Sequence, residues 1–257
     1  MTKLTFLGTG TSSGIPIIGC DCAVCTSSDS RDTRSRTSAV VLHNNRTYLI
    51  DTATELRMQA ITTGLTHVDS VLMTHAHADH LSGLDDLRRF NELSQAHLPL
   101  YAGAETAAQL RERYAYAFID MFPFYGGKPD LILHEFDGPF APFGDEIVPI
   151  PVPHGRSIVH GFRFGRLAYV TDAKEIPDSS KKMLKDLDIL VVNALRERPH
   201  PTHLSISEAV AIVEELQPRR AYLIHLSHEL SHEEATRQLP PCIEVAYDGL
   251  TVRTLEE

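Results

Sequence analysis

Short apolar runs bounded by polar turns alternate with helical patterns along both halves of the chain. Runs of about four to eight residues that are rich in β-branched and aromatic side chains are typical of strands. In the first half they predict strands at residues 4–8, 39–43, 47–51, 68–75 and 98–103. In the second half they predict strands at residues 146–153, 160–164, 167–171, 188–194 and 220–225.

Helical patterns lie between these runs, at residues 54–63, 105–116 and 179–186, and two further helices are predicted to begin after Ser205 and near Ser231. The pair Asn44-Asn45 predicts a hairpin turn between two strands. No linker, low-complexity tract or repeat divides the sequence, so we predict a single domain over residues 1–257. Strand clusters alternating with helices in both halves favour two sheets packed face to face with helices outside, an α/β domain.

The net charge and the distribution of apolar residues indicate which classes of partner the protein is not expected to bind. The formal net charge of −10 argues against the large basic surface that nucleic-acid binding requires. No apolar stretch reaches membrane-spanning length, and the N-terminus lacks a signal-peptide pattern. We therefore expect a cytoplasmic protein without membrane or nucleic-acid partners.

Three of the four cysteines lie in the segment GCDCAVC, residues 19–25. Disulfides are rare in the cytosol, so metal ligation by Cys20, Cys22 and Cys25 is favoured over a disulfide framework or free thiols. We interpret the fourth cysteine, Cys242 in PPCIEV, as a buried strand residue.

The segment THAHADH, residues 74–80, follows a predicted buried strand and supplies three histidines and a carboxylate. Imidazole and carboxylate ligands suit zinc and related divalent ions. Alternation places His75 and His77 on one side of an extended segment, while Asp79 and His80 fall in the next turn and can face a second ion. The other interpretation is a solvated polar loop with hydrogen-bonded histidines.

The motif H-x-H-x-D-H after a strand resembles the signature of the metallo-β-lactamase superfamily. The resemblance implies an αββα sandwich of two mixed β-sheets and two divalent ions, zinc or manganese. It assigns His75, His77 and His154 to one ion, Asp79, His80 and His225 to the other, and Asp172 as the bridge between them. Asp51 matches a superfamily aspartate that supports the site from outside the ligand set.

The segment LTFLGTGTSSGIPIIGCDCAVC, residues 4–25, and the later HLSHEL and VAYDGL resemble the PhnP-type phosphodiesterases. This likeness implies a structural zinc bound by Cys20, Cys22, Cys25 and His228. It also implies His203 in THLSIS as the general acid, with His200 as the alternative, and Asp79 as a catalytic carboxylate that orients a hydroxide held by the two ions. The implied reaction is hydrolysis of a small cyclic phosphodiester, such as a phosphoribosyl 1,2-cyclic phosphate.

Other functions remain as alternatives. A tRNase Z-like endoribonuclease shares the GTG-x-SG-x-P opening and the ligand set, but the acidic net charge disfavours it. A PqqB-like protein shares the cysteine cluster, and a non-catalytic metal-binding protein is the alternative from another class. The aromatic stretch at residues 118–125 either forms a wall of the substrate pocket or a contact between two copies in a homodimer, unless it simply covers the core.

Overall fold

The computed structural model describes residues 1–118 and 127–255, and in these ranges thirteen strands form two sheets. The seven-stranded sheet contains β1 (Thr2–Gly8), β2 (Ser38–His43), β3 (Arg46–Ile50), β4 (Ser70–Met73), β5 (Leu98–Gly103), β6 (Leu131–Phe136) and β13 (Thr251–Arg253). The six-stranded sheet contains β7 (Ile147–His154), β8 (Ser157–Phe164), β9 (Leu167–Tyr169), β10 (Ile189–Asn193), β11 (Arg220–Ile224) and β12 (Ile243–Val245).

Both sheets are mixed. The first has the order β13-β1-β2-β3-β4-β5-β6, antiparallel from β13 to β3 and parallel from β3 to β6. The second has the order β12-β11-β10-β9-β8-β7, parallel from β12 to β9 and antiparallel from β9 to β7. Asn44 and Asn45 both have positive φ, 47° and 62°, as a type I′ turn between β2 and β3 requires.

The helices of the described ranges are α1 (Leu56–Thr63), α2 (Ala78–Leu81), α3 (Leu87–Ser94), α4 (Ala104–Arg113), α5 (Ala115–Phe118), α6 (Asp178–Met183), α7 (Ile206–Leu216) and α8 (His232–Arg237). Capping boxes start two of them: Ser205 with Glu208 at α7, and Ser231 with Glu234 at α8. None of these helices combines the length and the apolar character that a bilayer crossing needs.

Three apolar layers hold the fold together. The middle layer lies between the sheets and contains fully buried aromatic residues of both, among them Phe6, Tyr48, Phe162 and Tyr169. One outer layer packs α1, α3 and α4 against the first sheet, and the other packs α6, α7 and α8 against the second. This arrangement confirms the predicted αββα sandwich of two mixed sheets with helices outside.

Several local expectations need correction. The helix predicted over residues 105–116 ends at Arg113, and the short α5 follows. Cys242 is exposed in the turn before β12 and is not a buried strand residue. Helix α3 was not predicted, although Leu87 and Phe90 bury one face of it. Strand β6 was not predicted. Of the aromatic stretch at residues 118–125, Phe122, Phe124 and Tyr125 lie outside the described residues.

Candidate metal centre

The ends of four strands deliver the histidines and carboxylates to one edge of the sandwich. His75 and His77 follow β4, His154 is the last residue of β7, and His225 follows β11. Asp172 comes three residues after β9, and α2 carries Asp79 and His80. The imidazole rings lie close together: the centroid of His75 is 4.3 Å from that of His80 and 5.6 Å from that of His154.

These side chains form several overlapping groups. Within each group, the potential ligand atoms lie within 4.8 Å of one another. One group is His75, His77 and His154, and a second is Asp79, His80 and His225. Asp172 joins His75 and His80 in a third group. The structure thus brings together all seven residues that the sequence singled out, in the grouping that the resemblance implied; their roles as ligands stay a prediction.

Four of the imidazoles are held by a hydrogen bond at Nδ1. The acceptors are Thr74 Oγ1 for His75 (2.9 Å), Asp51 Oδ2 for His80 (2.7 Å), the Thr202 carbonyl for His154 (2.9 Å) and Thr37 Oγ1 for His225 (2.9 Å). Thr74 and Thr37 donate their own protons elsewhere, to Asp51 and to the Gly10 carbonyl, so they accept from the imidazoles. Each ring therefore carries a proton at Nδ1 and turns Nε2 toward the centre.

Whether this centre fits metal ions can be judged from the hydrogen bonding of the Nε2 atoms. Among the described residues, Nε2 of His75 and Nε2 of His80 are buried and have no hydrogen-bond partner. Buried polar atoms without a partner are rare and costly in native proteins. Two such atoms, facing a set of imidazole and carboxylate donors, fit a site for divalent ions of the zinc or manganese type.

The electrostatics of the centre agree with this fit. Burial lowers the pKa of His75 well below its usual value and lowers the pKa of His225 to about 4. Burial opposes the charge on Asp172, but His225 and His80 hold the pKa of that carboxyl well below its usual value. Neutral imidazoles and ionised carboxylates are the protonation states that metal ligation requires.

His80 shows the opposite behaviour. Burial disfavours its charge, yet the carboxylates of Asp172 and Asp51 raise the pKa of His80 well above its usual value. Its Nε2 lies 3.3 Å from Asp172 and 3.4 Å from Asp79. The two carboxylates beside Nε2 therefore favour a positive charge at this point, either a proton on Nε2 or a divalent ion in its place.

Three residues of the centre adopt the left-handed backbone region that favours glycine. The φ angles are 60° at Asp51, 56° at Asp172 and 61° at His225. Such conformations cost about 1–3 kcal/mol each and cluster at functional sites. They let the chain turn sharply at the strand end and direct these side chains into the centre.

A cleft of about 420 Å³ opens over the centre and is lined by His77, Asp79, His154, Asp172, His203 and His225, among others. His203 Nε2 lies 3.0 Å from Asp172 Oδ1, so the imidazole donates to the carboxylate. His200 does not line the cleft; its Nδ1 lies 3.1 Å from His203 Nδ1. The structure therefore brings His203 to the centre and places His200 behind it.

The cysteine cluster forms a separate group. Sγ atoms of Cys20, Cys22 and Cys25 lie 3.4, 3.4 and 3.5 Å from His228 Nδ1. A tetrahedral zinc, with Zn–S of about 2.3 Å and Zn–N of about 2.0–2.1 Å, separates S and N by about 3.5 Å. None of the four cysteines is in a disulfide, and the N–H of Cys25 donates to Cys22 Sγ. The geometry fits a closed Cys3His zinc site.

Sequence reasoning missed part of the surroundings. Thr74 was inside the histidine motif, and Thr202 adjoins His203, so their positions carried a signal. Thr37 lies 188 residues before His225 and belongs to no motif, so nothing in the sequence linked the two. Arg156 and Ser12 line the cleft and were not singled out either.

A layered αββα fold with histidines and aspartates converging at its strand ends defines the class of the metal-dependent hydrolases. Residues 46–226 match the family described as the beta-lactamase superfamily domain. The chain therefore belongs to the beta-lactamase superfamily.

Similarity to individual proteins extends over nearly the whole chain. A crystal structure of a diphosphatase from the PhnP family is 43% identical, with a TM-score of 0.90, over 98% of this chain and 96% of that one. Zn²⁺-bound PqqB from Methylobacterium extorquens is 19% identical, with a TM-score of 0.79, over 98% of this chain and 99% of that one, and shows the fold alone.

A curated protein named octanoyltransferase, from Porphyromonas gingivalis (strain ATCC BAA-308 / W83), is 39% identical over 253 residues. The match covers 96% of this chain and 51% of that protein. The chain thus spans about half the length of the curated relative it matches.

Proposed function

We propose that the chain hydrolyses a small phosphodiester, such as a phosphoribosyl 1,2-cyclic phosphate, at the seven-residue centre. The observation that supports this most directly is the pair of buried Nε2 atoms without a partner, on His75 and His80, among four imidazoles protonated at Nδ1. Two divalent ions, when bound there, would activate a water molecule, polarise a phosphoryl oxygen and stabilise charge as phosphorus becomes five-coordinate.

The carboxylates have two roles in this proposal. Asp172 and Asp79 would balance the positive charge of the ions, and both line the cleft, where they orient the attacking water. Asp51 does not line the cleft; it holds His80 and Thr74 in place through hydrogen bonds of 2.7 and 2.8 Å. A water molecule held at a defined position by Asp172 and Asp79 would attack phosphorus at a lower entropy cost.

His203 would donate a proton to the departing oxygen. Its Nε2–H faces Asp172 inside the cleft, and Thr202 Oγ1 lies 2.9 Å from its Nδ1, where the hydroxyl donates to the ring. An alkoxide is a poor leaving group, so a proton supplied at the cleft accelerates its departure. The contacts favour His203 over His200 because only His203 lines the cleft.

A diphosphate substrate is the second candidate, because the 43% identical neighbour is described as a diphosphatase. The same centre suits attack on either linkage, since both reactions displace an oxygen from phosphorus. The two candidates differ in the leaving group: a phosphate needs less help from His203 than an alkoxide does.

A substrate panel tests the proposal with the chain loaded with zinc or manganese. It contains ribose 1,2-cyclic phosphate 5-phosphate, bis(p-nitrophenyl) phosphate, a dinucleoside diphosphate, an octanoyl thioester and a precursor tRNA, and Asp172→Asn is the control for contaminating activity. The proposal predicts turnover of the cyclic diester above the other compounds. Turnover of the thioester or the tRNA alone would overturn it.

We also propose that Cys20, Cys22, Cys25 and His228 hold a structural zinc. A closed Cys3His set leaves no position for water or substrate. His228 is three residues beyond His225, so the site would fix the N-terminal loop to the segment that carries a residue of the catalytic centre. Metal analysis of the purified chain is expected to find zinc in addition to two ions at the centre.

A further inference from the structure

The turn between β7 and β8 places an arginine at the mouth of the cleft. The last residue pair of this hairpin is His154 with Ser157, so Gly155 and Arg156 are the two turn residues. Gly155 has φ 61°, which fits the first central position of a type II′ turn. A two-residue turn has little conformational freedom. The backbone of Arg156, two residues after His154 in the sequence, is therefore fixed relative to the metal centre.

Arg156 differs from the other cations of this region. Within the part of the chain that the structure describes, it is the only lysine or arginine lining the cleft. Its guanidinium has no carboxylate or hydrogen-bond partner among the described residues. The nearby cations are paired: Lys174 lies 2.8 Å from Glu208, and Arg196 and Arg198 lie 3.2 and 3.0 Å from Glu229. An unpaired guanidinium on an acidic chain is free to bind an anion.

A second polar group at the cleft is also free. Ser12 lines the cleft, and its hydroxyl has no hydrogen bond among the described residues, whereas Ser157 donates to Glu105 at 3.1 Å. The Ser12 carbonyl accepts from Arg36 Nε at 2.7 Å, which fixes this loop. The guanidinium of Arg156 and the hydroxyl of Ser12 thus lie at the cleft without a partner in the described part of the chain.

We propose that Arg156 is a specificity-determining residue that binds a second, non-reacting phosphate group of the substrate. The inference rests on the proposed function, in which the metal centre takes the scissile phosphate. A guanidinium presents a planar fork that matches phosphate oxygens, and hydrogen bonds between two charged groups are the strongest of their kind. The enzyme then prefers phosphodiesters that carry an additional phosphate monoester over neutral analogues of the same size.

The test compares ribose 1,2-cyclic phosphate with its 5-phosphate, two substrates that differ only in the second phosphate. In Arg156→Gln the preference for the phosphorylated substrate, as a ratio of kcat/KM values, is expected to fall about 10–100-fold, the range for a charged hydrogen bond. The loss appears mainly in KM, because the phosphate does not react. Arg156→Lys retains the charge without the fork and is expected to lie between the two.

Arg57→Gln is the matched control, since Arg57 is an exposed arginine on α1, outside this cleft, and its substitution is expected to leave the preference as it is. Calorimetric titration of the metal-loaded proteins with ribose 5-phosphate gives a readout that needs no turnover. Equal preference and equal affinity in the wild-type protein and Arg156→Gln would overturn the assignment. If the wild-type protein hydrolyses neither compound, the proposed function fails, while the titration still decides whether Arg156 binds phosphate.

Discussion

His225 donates its Nδ1 proton to the hydroxyl of Thr37, and the two atoms are 2.9 Å apart. The hydroxyl donates its single proton to the Gly10 carbonyl at 2.8 Å, so it can only accept from the imidazole. This arrangement fixes the tautomer of His225 and leaves Nε2 without a proton, 3.3 Å from Asp172 Oδ1 and 3.3 Å from the hydroxyl of Thr11. Thr37, which belongs to none of the potential ligand groups, thereby holds His225 in the tautomer that metal ligation requires.

Thr37→Val keeps the shape of the side chain and removes the acceptor for the His225 proton. The ring then loses its fixed orientation, and we expect metal affinity to fall by about 10–100-fold, as is typical when such a partner is removed. Competition with a chelator of known affinity measures the change. Thr37→Ser keeps the hydroxyl and is the control; equal affinities in all three proteins would show that Thr37 has no part in metal binding.

His203→Gln is expected to slow hydrolysis according to the leaving group. General acid catalysis contributes about 10²–10⁴-fold, and a diester with an alkoxide leaving group should lose this amount. Bis(p-nitrophenyl) phosphate, whose leaving group hardly needs a proton, should lose far less. Steady-state kinetics on both substrates measure the difference.

His200→Gln is the companion variant, because His200 contacts His203 but does not line the cleft. We expect a smaller loss that follows the same leaving-group order. If His203→Gln slows both substrates equally while His200→Gln shows the leaving-group dependence, the general acid is His200.

The histidine motif made most of the centre predictable from the sequence. H-x-H-x-D-H concentrates four donors in six residues, and His154, Asp172 and His225 each follow an apolar run, so their meeting at strand ends followed from the fold. Thr37 could not be found in this way, because a hydroxyl acceptor needs only one correctly placed atom and leaves no pattern in the chain.

The fold was predictable where periodicity was strong and not where it competed with other signals. The apolar runs of β3, β10 and β11 were evident because these strands are buried. Strand β6 alternates weakly, with Leu131 and Phe136 buried and Ile132 exposed, inside a segment rich in glycine, proline and aromatic residues. The burial of a single residue next to a strand is harder to predict. Ile243 is buried in β12, whereas its neighbour Cys242 is exposed in the preceding turn.

Cys22→Ser separates the two proposed metal sites. If the Cys3His group binds zinc, the variant should release one ion and melt at a lower temperature, because the binding energy of a structural metal is folding energy. His225→Ala should have the opposite profile, with hydrolysis lost and the cysteine-bound zinc retained. Metal analysis and thermal melting of both variants check this.

A thiol-labelling reagent provides the matching control on the unmodified protein. Three cysteines that bind zinc should resist labelling until a chelator is added, while the exposed Cys242 reacts at once. Immediate labelling of all four thiols in the native protein, with zinc content unaffected by Cys22→Ser, would contradict the structural zinc.

His232 makes stability depend on pH at a distance from the metal centre. Arg34 Nη2 donates to His232 Nδ1 at 3.3 Å, so this nitrogen must stay unprotonated. Burial, and then the charge of Arg34, lower the pKa of His232 to about 4. The unfolded chain has a histidine pKa of about 6.5, so between these values it binds more protons than the folded chain. The stability that His232 contributes is fully present above pH 6.5 and is lost as the pH falls through 4.

His232→Gln removes the titrating group while its side-chain oxygen can still accept from Arg34. Both proteins should lose stability in acid, because the metal-centre histidines also become protonated, but the variant should lose less. We expect the difference between their free energies of unfolding to change by roughly 1–3 kcal/mol between pH 7 and pH 4, the size that a shift of this direction allows. Urea unfolding at a series of pH values, with saturating metal, measures it. Parallel stability curves for the two proteins would show that His232 is protonated as readily in the folded chain as in the unfolded one.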